Sequence, residues 1–292
     1  SMKDTRILIV DDSPFQIALL SDVLEEQGFE VVGQAMSLEE VKSEVKRTKP
    51  DLVTMDLTIP GTDGFECTKA VHDIDSNIKV IVVSSMMDEE LINKAKKLGI
   101  SGFIQKPVDT EELTLLINRV MADEDLFCEL EILYLGAYTE ATLNIFNRLT
   151  KTVPEITNIS FENKEKTSAG ISIVLGIIGK YSGRLIMDMS LETAEKFSEC
   201  LLRRKAKNNE EVLNVVSEVA NMLAGNGCSI INKKNKVFGL RVAPPTTIHG
   251  ESINISKAEL ECNFSADIKS EFGDISLNLG FRRGESEWMS DI

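Results

Sequence analysis

The chain has 292 residues, 42% hydrophobic and 27% charged, with a formal net charge of −15; that length suggests two domains, and acidity shared by both halves is ill suited to a nucleic-acid backbone. No apolar run approaches the roughly 20 residues of a membrane span, and no basic-then-apolar leader is visible, so a cytoplasmic protein without membrane insertion is expected. Five scattered cysteines with no Cys-x-x-Cys pair, and only two histidines, point to reduced thiols rather than a disulfide framework or a zinc site.

In chain order, short apolar runs alternate with amphipathic stretches over the first 120 or so residues. The runs are Ile7-Leu8-Ile9-Val10, Val31-Val32, Leu52-Val53, Val80-Ile81-Val82-Val83 and Phe103-Ile104. They have the composition of buried parallel strands. Helix starts fall between them. Ser13-Pro14 reads as an N-cap and first helical position. Ser37 with Glu40 and Asp109 with Glu112 have capping-box spacing, and Asp88 opens a further helix. Five β-α repeats predict a doubly wound five-stranded parallel sheet with helices on both faces.

In such sheets chemistry collects beyond the carboxyl ends of the strands. Those ends carry Asp11 and Asp12, then Asp56, then Ser84 and Ser85, then Lys106. Three convergent carboxylates repel one another unless a hard cation such as Mg²⁺ sits among them. Lys106 adds a compact positive charge for an incoming phosphate, and a serine hydroxyl can donate to a phosphoryl oxygen. With Pro60-Gly61 and Asp63-Gly64 after Asp56, and Pro107 after Lys106, this set resembles the response-regulator receiver family, the CheY-like domains of two-component signalling, over about residues 4–122. The resemblance implies that Asp56 accepts a phosphoryl group from a histidine kinase. It implies Mg²⁺ held by Asp11, Asp12, Asp56 and the Thr58 carbonyl, Ser84 as switch hydroxyl, Lys106 as phosphate contact and Phe103 as an aromatic that turns inward on activation. Met86 stands two residues after Ser84, and an apolar side chain beside the phosphoryl group should obstruct an attacking water, so self-dephosphorylation is expected to be slow.

The receiver is assigned to residues 1–122 and the join to 123–135, a stretch without the Gly/Ser/Pro composition of a flexible tether that could equally extend the helix before it. Residues 136–292 read as an α/β domain with antiparallel strands and long helices. Its expected elements are a helix near 136–151, strands near 170–190, helices near 191–205 and 209–225, and strands across about 236–243 and 257–282. Asn208 or Asn209 suits the start of the longer helix and Gly225 or Gly227 its end. A weak internal repeat relates Glu140-x3-Asn144-x2-Asn147 to Asn214-x3-Glu218-x2-Asn221.

Asn214, Glu218, Asn221 and Gly225 follow i, i+4, i+7, i+11 and share one narrow face of an otherwise apolar helix. Such a stripe either faces solvent or reads a partner. Glu218-x2-Asn221, followed after 22 residues by Pro244, resembles the signature of the CheC/CheX/FliY family of receiver phosphatases. Asn214 departs from the Asp or Ser usual there. Because the first helix has Asn144 where a second Glu would stand, a single working helix of the CheX kind is implied. The resemblance assigns Asn221 to holding a water in line with phosphorus and Glu218 to pairing with the active-site lysine of a CheY-like phosphorylated receiver. Phosphoaspartate hydrolysis asks mainly for that positioning, and an amide supplies it without adding negative charge. Mg²⁺ would belong largely to the substrate protein. The competing reading is a phosphorylation-controlled module that docks a signalling or motor partner without hydrolysis. A homodimer is implied by resemblance alone, and no nucleic-acid partner is expected.

Overall fold

The computed structural model describes residues 4–163, 166–249, 254–255 and 260–283. The chain divides into two compact units, the first ending at Leu126 and the second beginning at Phe127. The first unit runs β1 (Arg6–Val10), α1 (Pro14–Glu26), β2 (Glu30–Ala35), α2 (Leu38–Thr48), β3 (Leu52–Met55), the small hairpin β4 (Thr58–Ile59) and β5 (Thr62–Asp63), α3 (Gly64–Ile74), β6 (Lys79–Ser84), α4 (Glu89–Lys97) and β7 (Gly102–Gln105). It closes with the first turns of α5 (Thr110–Thr150).

The five main strands form a parallel sheet in the order β2-β1-β3-β6-β7. Alternate residues of each strand serve two cores, as a sheet covered on both faces requires. Leu8, Val10, Val53, Val80 and Val82 pack with α2, α3 and α4 residues such as Val41, Val71 and Ala95. Ile7, Ile9, Leu52, Ile81 and Val83 pack with Ile17, Leu20 and Leu24 of α1 and Leu113, Leu116, Ile117 and Val120 of α5. The expected caps form. Ser13 accepts from the Gln16 amide at 3.3 Å, Ser37 from Glu40 at 3.2 Å, Asp88 from Leu91 at 2.8 Å and Asp109 from Glu112 at 2.9 Å.

Residues 123–135 are helix rather than a separate linker, and the helix expected near 136–151 is the end of the same element, 41 residues long. Of Leu126, Leu130, Ile132 and Leu133, the apolar residues that made extension conceivable, Leu130 is buried and Ile132 is exposed; Phe127, Tyr134 and Tyr138 complete the buried stripe.

The second unit continues with β8 (Glu155–Ser160), β9 (Lys166–Thr167), β10 (Ile171–Ile178), β11 (Ser182–Met189), α6 (Leu191–Leu202) and α7 (Asn209–Lys234). A 3₁₀ turn (Lys236–Phe238) leads to β12 (Arg241–Val242), β13 (Thr246–His249), β14 (Asn254–Ile255), β15 (Cys262–Ser270) and β16 (Gly273–Arg282). Its antiparallel sheet has the order β12-β10-β11-β16-β15-β8, with β13 also on β10. The hairpins β10-β11 and β15-β16 lie back to back through the β11-β16 pair. One face of this sheet carries Ile173, Leu175, Leu185, Met187, Leu277, Leu279 and Phe281, all buried. The rings of Tyr134 and Tyr138 pack on this layer against Phe264 and Phe281, and Phe146 meets Phe197 of α6 edge to face.

Helix α7 does not stop at Gly225 or Gly227, as expected from the glycines, but runs to Lys234, where the Asn235 amide closes on the Ile231 carbonyl at 3.1 Å. The reason lies across the interface. A Cβ on Gly227 would sit 2.2 Å from the Tyr138 ring, so this glycine lets a large aromatic lie against the helix backbone. Beyond it Cys228 and Ile231 continue the buried stripe. Tyr138 Oη and Cys228 Sγ are 3.2 Å apart, and Asn144 donates to Asn226 at 3.2 Å. These pairings run α5 and α7 in opposite directions.

Candidate functional site

In the first unit, the ends of β1, β3, β6 and β7 bring the expected side chains to one edge. Asp11, Asp12 and Asp56 each place a carboxylate oxygen within 4.8 Å of the other two. Asp11 and Asp56 are buried and Asp12 is not. Lys106 reaches in from the end of β7, its ammonium donating to Asp11 Oδ2 at 2.9 Å and to Asp56 Oδ2 at 3.5 Å. Asp11 is further fixed by the Ser13 amide at 2.9 Å, and Asp56 Oδ1 accepts from the Thr58 amide at 3.4 Å. The β4-β5 hairpin folds back over this corner. Gly64 is demanded there, because a Cβ would lie 2.3 Å from the Asp56 carbonyl oxygen.

Burial is the main influence on Asp56 and pushes its carboxyl above the usual range. The Lys106 charge opposes that shift, and Asp11 adds to it. Burial works against the Lys106 ammonium, but its hydrogen bond to Asp11 and the negative charges beside it hold it above the ordinary lysine value. The site is therefore a buried, like-charged carboxylate pair compensated by one cation. A hard-oxygen donor set of this kind fits Mg²⁺. Asp11, Asp12 and Asp56 would hold the ion, with Thr58 beside them on the hairpin.

Ser84 ends β6 fully buried, and its Oγ accepts from the Met86 amide at 3.2 Å. Met86 itself is 57% exposed, at the lip of the site. Phe103, on β7, is wholly buried and belongs to the core facing α2, α3 and α4.

In the second unit, Glu218 and Asn214 are exposed on α7 and Asn221 is half-buried. The rest of the helix faces inward through Val212, Val216, Val219, Ala220, Leu223 and Ala224. The polar stripe thus lies on the outer surface, within reach of another protein. Below Asn221 opens a cleft of about 430 Å³ lined by Asn221, Gly225, Cys228, Ser229, Asn232, Leu240, Arg241 and Val242. Its far wall is held by Asn232, whose amide donates to the Leu240 carbonyl and accepts from the Leu240 amide, both at 2.8 Å. Sequence reasoning missed Asn232 and Arg241. Asn232 continues the 214–218–221–225 spacing by seven more residues, and that periodicity was the signal available. Arg241 carried none. Pro244, exposed beyond β12, is not among the lining residues.

Comparison with known proteins gives the same division. Residues 7–118 match the family described as response regulator receiver domain, and residues 171–269 match the family described as chemotaxis phosphatase CheX. The chemotaxis protein CheY of Thermotoga maritima is 38% identical over 39% of this chain and 96% of its own length. CheY of Bacillus subtilis is 36% identical over 40% of the chain and 97% of its own. A chain in the crystal structure of the CheX–CheY–BeF3–Mg complex from Borrelia burgdorferi is 23% identical, with a TM-score of 0.45, covering 51% of this chain and 97% of that one. No helix among the described residues is long and apolar enough to cross a membrane. The chain belongs to the response-regulator family, with a CheY-like receiver domain in its first part and a domain of the chemotaxis phosphatase CheX family in its second.

Proposed function

We propose that this chemotaxis-type response regulator takes a phosphoryl group on Asp56 from a histidine kinase and that its CheX-like domain hydrolyses the phosphoaspartate of a CheY-like receiver. The observation that carries the second half is the exposure of Glu218 with Asn221 on one face of α7, above an open cleft. An acyl phosphate is already activated, so a protein assists mainly by aligning a water with phosphorus and excluding wrong geometries. The Asn221 amide can accept a hydrogen bond from that water and donate to it or to a phosphoryl oxygen. The Glu218 carboxylate fixes register by pairing with the substrate receiver's lysine, a charge-assisted contact.

Asp56 supports the first half as a carboxylate whose neighbours set up an anion site. Lys106 donates to both Asp11 and Asp56, which supports its reading as the contact for a phosphoryl oxygen. Ser84, buried at the end of β6, can turn its hydroxyl to the same group. Bound Mg²⁺ would supply charge neutralisation for phosphoryl transfer.

The test is phosphate release from a phosphorylated CheY-like receiver mixed with the full chain. Release above the receiver's own rate is expected, with Glu218→Ala and Asn221→Ala each losing it by about 10²-fold or more, the scale seen for removal of a transition-state contact. Both positions are away from the core, so thermal stability should move by less than about 0.5 kcal/mol. A fully active Asn221→Ala variant removes the water-positioning role; binding without release leaves a docking module.

A further inference from the structure

The cleft below Asn221 has a composition that the hydrolytic pair does not explain. Among the described residues Arg241 is the one charged side chain in its lining. The chain as a whole is acidic, with a net charge of −15, so the sign of this charge is opposite to the average of the molecule. It is also held there. Asn232 ties both backbone groups of Leu240 to α7 at 2.8 Å, and Arg241 is the next residue. The two-residue strand it begins is pinned on its other side by pairing with Ile177 and Ile178 of β10.

The cleft floor gives a second, independent observation. Gly225 lies inside α7, where glycine is a poorer helix former than any residue except proline. Nothing among the described residues requires glycine there: an added Cβ would meet none of their atoms within 4 Å. Gly227, two residues on, shows the contrast, because there the Tyr138 ring occupies the space. Gly225 also sits one turn from Asn221 on the same face, and Asn232 two turns further. What Gly225 preserves is empty volume beside the amide.

We infer that the Gly225–Arg241 cleft receives the acidic rim of the receiver whose phosphoaspartate is hydrolysed, with the Arg241 guanidinium pairing with a carboxylate of that rim. The inference rests on the proposed action on a CheY-like receiver. Its chemistry follows from what such a partner presents. In the receiver of this same chain Asp63 on the β4-β5 hairpin and Asp88 at the start of α4 are exposed and take no part in holding Mg²⁺, and a partner of that class brings like negative charge to the docking face. Glu218 can meet only the cationic part of that site. A guanidinium on β12, beside the later turns of α7, supplies the opposite sign, and a planar fork suits a carboxylate better than a point charge. Two contacts of opposite polarity on one face would fix the direction of docking. Arg241 is on this account a specificity residue, and Asn232 a positioning residue acting through it.

Equilibrium binding of beryllofluoride-activated Thermotoga maritima CheY by the full chain tests the assignment without relying on hydrolysis. Arg241→Gln is expected to weaken binding about tenfold at low salt and less at high salt, with Arg241→Lys recovering part of the loss. Gly225→Leu puts a good helix former into open space, so the thermal midpoint should hold or rise while binding falls by about tenfold or more. A wild-type dissociation constant in either Arg241→Gln or Gly225→Leu overturns the assignment, as does failure of the unmodified chain to bind. Intact binding that responds to both substitutions, but with no phosphate release by the unmodified chain, sinks the hydrolytic reading and leaves the cleft assignment standing.

Discussion

At the scale of single residues, the two polar sites differ in how they are held. The receiver carboxylates are buried and depend on one another. Removing the Lys106 charge would leave Asp11 and Asp56 facing each other in a desolvated corner. Glu218 stands in solvent, where a charge costs little and is worth little until a partner desolvates it. Met86 adds a kinetic consequence. Its amide donates to Ser84 Oγ at 3.2 Å, which holds its backbone beside the residue that ends β6. An apolar group there should hinder the in-line water. Phosphate on Asp56 is therefore expected to outlast minutes in the Asn221→Ala full chain, followed by loss of radiolabel after the donor is removed. Decay within seconds would show that Met86 offers no barrier.

At the scale of elements, α7 is the piece on which most of the second domain depends. Its inner face is nearly continuous apolar surface, and Gly227 is where the helix admits the Tyr138 ring of α5. A methyl at Gly227 would lie 2.2 Å from ring carbon, so Gly227→Ala must push apart two packed helices. Overpacking of this kind costs about 1–3 kcal/mol, and a gain of helix propensity near 1 kcal/mol offsets only part of it. Gly227→Ala is thus expected to destabilise the second unit in denaturant titration, whereas helix propensity alone would have it stabilise. Asn232→Ala is expected to cost about 1–2 kcal/mol, since it leaves both Leu240 backbone groups without their side-chain partner.

At the scale of the whole molecule, net charge and buried titratable groups set the response to pH. His72, packed at the end of α3, has its Nε2 3.1 Å from the Ile78 carbonyl oxygen. Burial is the chief influence and lowers its pKa below the ordinary 6.5, with the Lys79 charge acting in the same direction and the Ile78 carbonyl against it. A histidine held neutral in the fold binds fewer protons than in the unfolded chain. Stability of the first unit is therefore expected to be full above the unfolded value and to fall as pH drops from 7.5 through 6.5 toward 5. His72→Gln should flatten that slope in urea titrations at stepped pH. A slope that persists unchanged in the variant would assign the acid sensitivity to other groups.

Much of the receiver was legible because its strands are short, apolar and separated by capped helices, and because its chemistry stands at strand ends that the β-α order alone brings together. Asp11, Asp56 and Lys106 could be named from that order. So could the exposed stripe on α7, whose members repeat at helical spacing. What the amino-acid order could not yield was anything decided by distant atoms. Gly225 and Gly227 look alike in sequence and suggest a helix end. One faces an aromatic ring from another helix and the other faces open space, and the helix runs through both. Asn232 and Arg241 became part of a cleft only because a strand returns beside the helix and is tied to it through backbone groups. Local periodicity records which way a residue points, and only tertiary packing decides what it meets there.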